Sequence, residues 1–296
     1  MVVSPVLPPP EKEEVSLVLL IKEIYDQTMT HPASPHLITD PAGFRLADRP
    51  TQVDAFKSKS HAKKAMTSDA KTIASLAHKL YAEDDRKLLI VLQGMDTSGK
   101  DSTTEAIFAR TPPLNAVVRA FKAPSKTELA HDYLWRVHNV VPKAGQMTVF
   151  NRSHYEDVLV VKVKNYQSDE TIDQRYEQIN DFERLLTDTG TTILKFMLHI
   201  SHETQGERLR ERLEEDHKLW KFNPNDLDDR ALWPEFMDAY ETMVKRTSTD
   251  HAPWYVIPSD HRATRKALIT DIVRRTLETM NPQYPDPGYN QKDWEI

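Results

Sequence analysis

From residue 87 onward, short apolar runs alternate with longer segments of helical periodicity. Lys87 to Gln93 (KLLIVLQ) is apolar almost throughout and stops at Gly94, as expected of a parallel strand buried on both faces. Asn115 to Phe121, Met147 to Phe150, Thr191 to Ile200 and Trp254 to Ile257 repeat this pattern. Helical spacing fills the gaps: from near Lys100, then Ser125 to Val140, Tyr155 to Val163, Asp169 to Asp188, Ser201 to Asp216 and Asp226 to Lys245. His261 to Met280 closes the series, and Ser68 to Ala82 precedes it, with Ile73, Leu76, Ala77 and Leu80 on one face. Ser125 and Glu128 have the spacing of a capping box. Such alternation predicts a three-layer α/β/α fold with about five parallel strands.

The upstream segment is less regular. Residues 1–12 hold Pro5, Pro8, Pro9 and Pro10 and read as an extended tail. Glu13 to Thr28 has helical periodicity through Val18, Leu19, Ile21 and Tyr25, and His31 to Pro50 reads as irregular connection. The expected organisation is an N-terminal extension over 1–45 and one α/β domain over 46–296.

The net charge of −6 disfavours a general nucleic-acid binder, so any polyanion site has to be a local cluster of Lys and Arg. With no cysteine, disulfides, thiolate metal sites and cysteine nucleophiles are excluded. The twelve histidines show no metal-ligand spacing, and His131–Asp132 reads as a structural pair. No apolar run approaches the roughly 20 residues that span a bilayer, and Met1 to Pro10 lacks a secretory pattern, so the expectation is a cytoplasmic protein.

Only 7 glycines occur, and two of them bracket Gly94-Met95-Asp96-Thr97-Ser98-Gly99-Lys100. This heptapeptide follows a predicted strand and opens a predicted helix, which is the setting of a phosphate-binding loop. Glycines let successive amides face one anion, the helix N-terminus adds positive potential and Lys100 adds a full charge. The structural alternative is a Gly-capped turn with a surface lysine. The residue after the lysine is Asp101, with Ser102 next, where Ser or Thr usually serves Mg²⁺. Asp96 puts a carboxylate inside the anion cradle, which makes sense if a magnesium ion lies between it and phosphate. The metal is therefore assigned to Asp96.

With that loop in place, the chain resembles the polyphosphate kinase 2 family. The resemblance also rests on Phe121-Lys122-Ala123-Pro124-Ser125, His131 to Arg136, Phe150-Asn151-Arg152-Ser153-His154-Tyr155-Glu156, Leu219 to Phe222 and Ala252 to Pro258, in that order. It runs from about Ala47 to Leu277. It implies a thymidylate-kinase-like fold with a helical lid near 201–230, Mg²⁺, and transfer between inorganic polyphosphate and nucleoside phosphates. The segment Asn151 to Glu156 looks like the class III subgroup, which implies AMP and ADP as acceptors, with GMP and GDP as further candidates. The family also implies a dimer or tetramer.

The resemblance, together with charge and placement, implies roles; on the residues alone, Asn151-Arg152-Ser153 fits equally a cap of the next helix with Arg152 in a surface ion pair. Gly94, Met95, Thr97, Ser98, Gly99, Lys100, Asp101 and Ser102 would hold phosphate through the loop. Asn151, Arg152, Tyr155 and Glu156 would meet the acceptor nucleotide, Arg152 as a bidentate phosphate clamp. Lys122, Lys126 and Arg136 form a candidate track for a long polyanion. Arg208 and Arg212 share a helix face, so both could close over the transferring phosphoryl group, with Lys221 beside Trp220 also reaching phosphate. The interleaved Glu207, Glu211, Glu214 and Glu215 also fit a salt-bridged surface helix. The expected catalytic set is Asp96, Lys100, Arg152, Arg208 and Arg212.

The nearest rival is an ATP-dependent nucleoside monophosphate kinase. Asp101 after Lys100 and the basic segment 119–126 argue against it. A GTP-binding switch lacks its NKxD motif, and a non-catalytic polyphosphate scaffold would leave the loop unused.

Overall fold

Uninterrupted apolar runs become the centre of a parallel sheet because only a strand covered on both faces has no use for polar alternation. The computed structural model describes residues 31–290, so the proline-rich start and the expected helix over Glu13 to Thr28 lie outside the described residues. The strands are β1 (Lys87–Gln93), β2 (Ala116–Ala120), β3 (Met147–Asn151), β4 (Thr191–His199) and β5 (Trp254–Pro258). They are all parallel, in the order β2-β3-β1-β4-β5.

The described helices are α1 (Lys59–Glu83), α2 (Lys100–Ile107), α3 (Lys126–Leu129), α4 (Trp135–His138), α5 (Glu156–Val163), α6 (Asp169–Asp188), α7 (His202–Glu214), α8 (Asn225–Ala231), α9 (Trp233–Thr247) and α10 (Arg262–Met280). Alternate residues of β1 divide the core. Leu88, Ile90 and Leu92 pack with α1, α2 and α10, whereas Leu89 and Val91 pack with α5, α6 and α9. This is the three-layer arrangement the alternation predicted.

Three boundaries differ from the periodicity, each for a local reason. α1 begins earlier, where the Ser58 side chain accepts from the His61 amide; its first turns are mostly exposed and carry no apolar repeat. The expected helix over 125–140 splits into α3 and α4. Asp132 Oδ1 accepts from the amides of Leu134 and Trp135, 3.0 Å each, and restarts the chain after the Ser125–Glu128 capping box. Asp132 is thus a cap, while His131 stacks on Trp135 and bonds the Thr127 carbonyl, so the two do not pair as expected. The expected helix over 226–245 breaks at Leu232, with Pro234 in the first turn of α9.

Residues 31–45, expected as part of an extension, lie along β5. The Ile38 amide donates to the Trp254 carbonyl and the Val256 amide to the His36 carbonyl, both at 2.9 Å. Ile38 and Phe44 are buried in the core. The C-terminal ends of β1 and β3, adjacent in the sheet, open the Gly94 and Asn151 loops side by side, the position where open α/β sheets bind ligands.

Candidate active site

The phosphate loop leaves β1 with three left-handed residues, Gly94 (φ 147°), Thr97 (φ 62°) and Gly99 (φ 104°), and enters α2 at Lys100. Curling the chain this way turns its amides inward, and the two glycines occur where an L side chain would be strained. Gly99 meets a second constraint: a Cβ there would collide with the Arg265 guanidinium. Lys100 is buried and folds over its own loop, donating to the Gly94 carbonyl at 2.6 Å and the Met95 carbonyl at 3.2 Å. Burial, then the nearby Arg152 cation, lower its pKa to about 8, against partial support from Asp96, Glu156 and Asp101.

At the end of β3, Arg152 takes a left-handed conformation (φ 61°), rare for a long side chain, and swings toward the loop. Its guanidinium meets the Asp96 carboxylate and, at 3.1 Å, Glu156. Burial works against the Arg152 cation, but Glu156 and Asp96 outweigh it and hold its pKa above the usual range. Asn151 donates to Asp101 Oδ1 at 2.7 Å, tying the β3 loop to the first turn of α2. Ser102 is turned away from the loop's mouth: its hydroxyl donates to the Gly99 carbonyl and accepts from Arg265.

Next to the loop opens a cleft of about 900 Å³, large enough for a nucleotide. Asp96, Arg152, Glu156, Lys122 and Pro124 line it, with Asn223, Asn225, Asp226 and Asp229 from the segment expected as lid. Arg136 and Arg175 line it as well. Arg136 donates to the Lys122 carbonyl at 2.9 Å and to Asp157 at 3.2 Å, and Arg175 lies 4.6 Å over the Tyr133 ring. Lys126 is exposed in the first turn of α3, close in sequence to Lys122.

Several expected residues stand elsewhere. Tyr155 is fully buried beneath β4 and donates to Glu183 at 2.7 Å, so it presents no surface to the cleft. It belongs to a sealed network in which Lys195 meets Glu183 at 2.6 Å, the Tyr155 hydroxyl at 2.9 Å and the Thr247 carbonyl at 2.7 Å. Arg208 differs from the expected lid guanidinium. It is buried and spends its donors on the carbonyls of Thr97 (2.9 Å), Ser259 (2.8 Å) and Asp260 (2.6 Å), bracing the loop from beneath. Burial and the neighbouring Arg262 lower its pKa to about 10. Arg212 does reach the lid, bonding Asp226 at 2.8 Å and the Lys221 carbonyl at 3.1 Å. Burial, then the Asp96 charge, raise Asp226 to about 6. Lys221 is exposed and lies 5.0 Å over the Trp220 ring. Trp254 is buried in the core, whereas Trp135 is exposed and stacks on His131.

Sequence analysis missed Arg175 and Arg265. Arg265 carried a usable signal, since Ile269 and Ile272 follow at i+4 and i+7 and place it on the buried face of α10. Arg175 carried none beyond helical spacing.

The donor set fits a hard divalent cation such as the expected magnesium. Asp96, with Asp101 one turn away, offers hard oxygen ligands where phosphate would arrive, and Mg²⁺ is commonly held by one or two carboxylates plus phosphate oxygens and water. Among the described residues no three His, Asp or Glu side chains are grouped to hold a metal. Bound at Asp96, the cation would neutralise phosphate charge.

A model of the polyphosphate kinase 2 family matches residues 56–285. The AMP/ADP-polyphosphate phosphotransferase of Meiothermus ruber is 47% identical over 239 residues, covering 80% of this chain and 90% of that protein. The ADP-polyphosphate phosphotransferase of Rhodopseudomonas palustris is 36% identical over 254 residues, covering 81% of this chain and 88% of that one. The crystal structure of polyphosphate kinase 2 from Arthrobacter aurescens superposes with a TM-score of 0.83 at 34% identity, covering 88% of this chain and 97% of that chain. With its phosphate loop, its sheet order and these matches in agreement, the chain belongs to the polyphosphate kinase 2 family.

Proposed function

We propose that this enzyme moves a phosphoryl group reversibly from inorganic polyphosphate to AMP and ADP. The observation that carries the reading is the shared boundary between loop and cleft: Asp96 belongs to the loop and, with Arg152, lines the cleft. A donor phosphate gripped by residues 94–100 and an acceptor phosphate in the cleft would meet across this pair. A terminal oxygen of the acceptor attacks the terminal phosphorus of polyphosphate. One P–O bond forms, the bridging P–O bond breaks, and the donor leaves one phosphate shorter. The acceptor phosphate has a second pKa near 6 and is mostly dianionic at pH 7, so no strong general base is needed. The protein's task is to place two anions in line and neutralise them, through Lys100, Arg152 and a magnesium ion on Asp96.

Acceptance of both AMP and ADP, as in the class III subgroup, is supported by the M. ruber relative's name and by the Asn151 to Glu156 segment. Guanine nucleotides are included as acceptors on the same cleft volume. Assembly into dimers or tetramers is supported by the outer edge of the sheet, where Val118 of β2 is 46% exposed and Leu114, in the turn just before β2, is 76% exposed. A cytoplasmic location belongs to the same reading; among the described residues no helix is long and apolar enough to cross a membrane. The deciding experiment offers long-chain polyphosphate or ATP with Mg²⁺ to AMP, ADP, GMP and GDP and identifies products chromatographically. ADP and ATP formed from polyphosphate are expected. ATP as the only effective donor would replace this reading with a nucleoside monophosphate kinase.

A further inference from the structure

We infer that Arg265, at the start of α10, is a positioning residue that sets the phosphate loop for its anion; this rests on the polyphosphate reading above. Its side chain is wholly buried under the loop. It donates to the Ser98 carbonyl at 2.8 Å, the Thr103 hydroxyl at 3.1 Å, the Ser102 hydroxyl at 2.9 Å and, more weakly, the Ser259 carbonyl at 3.3 Å. One rigid, planar fork therefore ties the loop, the first turn of α2 and the end of β5 together.

The Ser98 contact has a directional consequence. The Ser98 carbonyl and the Gly99 N–H belong to one planar trans peptide and point opposite ways. Pulling the carbonyl down onto Arg265 turns the Gly99 amide up, toward the side where an anion would sit. Gly99 is required for the same contact, because a side chain there would strike the guanidinium. The left-handed glycine of the loop and the arginine of α10, whose bond to Ser98 spans 167 residues of sequence, are thus one device.

The electrostatics point the same way. The hydrogen-bond partners of Arg265 are carbonyls and hydroxyls, and the charges bearing on it are the cations of Arg208 and Arg262. Burial, then those two cations, lower its pKa to about 9. A buried charge kept for stability alone is normally paired with a carboxylate, since an unpaired one is costly. Here the missing negative charge is what a polyphosphate end would bring to the opposite face of the loop.

The test compares Arg265→Lys, Arg265→Met and Thr103→Val with wild type. The readouts are melting temperature, kcat and KM for polyphosphate, and calorimetric affinity for tripolyphosphate and, separately, for AMP. Arg265→Lys keeps the charge but not the fork, and is expected to lose tenfold or more in kcat/KM for polyphosphate and in tripolyphosphate affinity. Its AMP affinity should stay within about twofold, a split that a merely structural role would not produce. Thr103→Val removes one anchor and should move the same quantities a few-fold, so the question is decided even if Arg265→Met fails to fold. Folded variants with wild-type polyphosphate constants, or with AMP affinity lost in equal measure, would overturn the inference. A wild-type protein that neither binds tripolyphosphate nor uses polyphosphate would instead overturn the donor assignment.

Discussion

With Lys100 on the donor phosphate, as proposed, its depressed pKa predicts that polyphosphate capture is sensitive to alkali. In the ligand-free loop the ammonium is buried, faces Arg152, and titrates at about 8 instead of the ordinary 10.5. That difference corresponds to about 3 kcal/mol of penalty on the charged form. In the proposed donor site, polyphosphate would reverse the penalty by supplying anionic oxygens beside the ammonium, so the form expected to capture donor is the one with Lys100 protonated. Protonated Lys100 falls from about 90% of the enzyme at pH 7 to about 10% at pH 9. The expectation is that kcat/KM for polyphosphate falls about tenfold per pH unit above 8, while kcat at saturating donor breaks at higher pH because bound phosphate restores the proton. Initial rates from pH 6.5 to 9.5 at low and saturating polyphosphate measure both. Lys100→Arg is the control, since a guanidinium does not titrate in this range and whatever activity remains should lose the alkaline break. The sign for stability is opposite. A cation disfavoured by folding makes the ligand-free protein more stable as pH rises from 8 toward 10.5, and Lys100→Met should leave the melting temperature unchanged or higher while abolishing donor use. A flat kcat/KM to pH 9.5, or an identical break in Lys100→Arg, would refute the reasoning.

Asp96→Asn should cost on the order of 10²–10³ in kcat and raise the magnesium concentration needed for half-maximal rate, measured by metal titration of initial rates. Glu183→Ala should destabilise the fold by about 3–5 kcal/mol in urea unfolding, because it leaves Lys195 buried with no carboxylate, whereas replacing both residues by apolar ones of similar volume should recover much of that loss. In either case the folded fraction should keep its affinity for nucleotide, since the Lys195 network lies away from the cleft. Gly99→Ala should lower both stability and polyphosphate turnover, by straining the left-handed backbone and displacing Arg265, with circular dichroism melts and donor kinetics as the readout.

The parts of this molecule that could be read from sequence are those governed by short-range rules. The strand at Lys87 to Gln93 and the helix at Asp169 to Asp188 have the bounds that period and capping indicate, because one is apolar throughout and the other opens at Ser168, whose side chain caps Thr171. The loop from Gly94 to Lys100 was legible for the same reason: its backbone curvature requires glycine at fixed spacing. What could not be read depends on where a side chain points after folding. Tyr155 and Asn151 lie in one short motif, yet Asn151 faces the loop and Tyr155 the sealed Lys195–Glu183 pair, because the left-handed turn at Arg152 separates them. Arg208 and Arg212 share a helix face, as their spacing requires. But α7 starts at the end of β4 and leans on the loop, so its N-terminal part is clamped and only its C-terminal part reaches the lid. A guanidinium one turn closer to the sheet therefore became a brace instead of a mobile clamp. The same logic separates the anion-gripping groups into two layers. In the proposed reaction, Lys100 and Arg152 would exchange their present partners, the Gly94 carbonyl and the Asp96 carboxylate, for phosphate, while Arg208 and Arg265 spend their donors on the loop itself. A site that has to hold two polyanions in line needs both layers. Surface cations alone would draw phosphate in without fixing the loop amides that orient it.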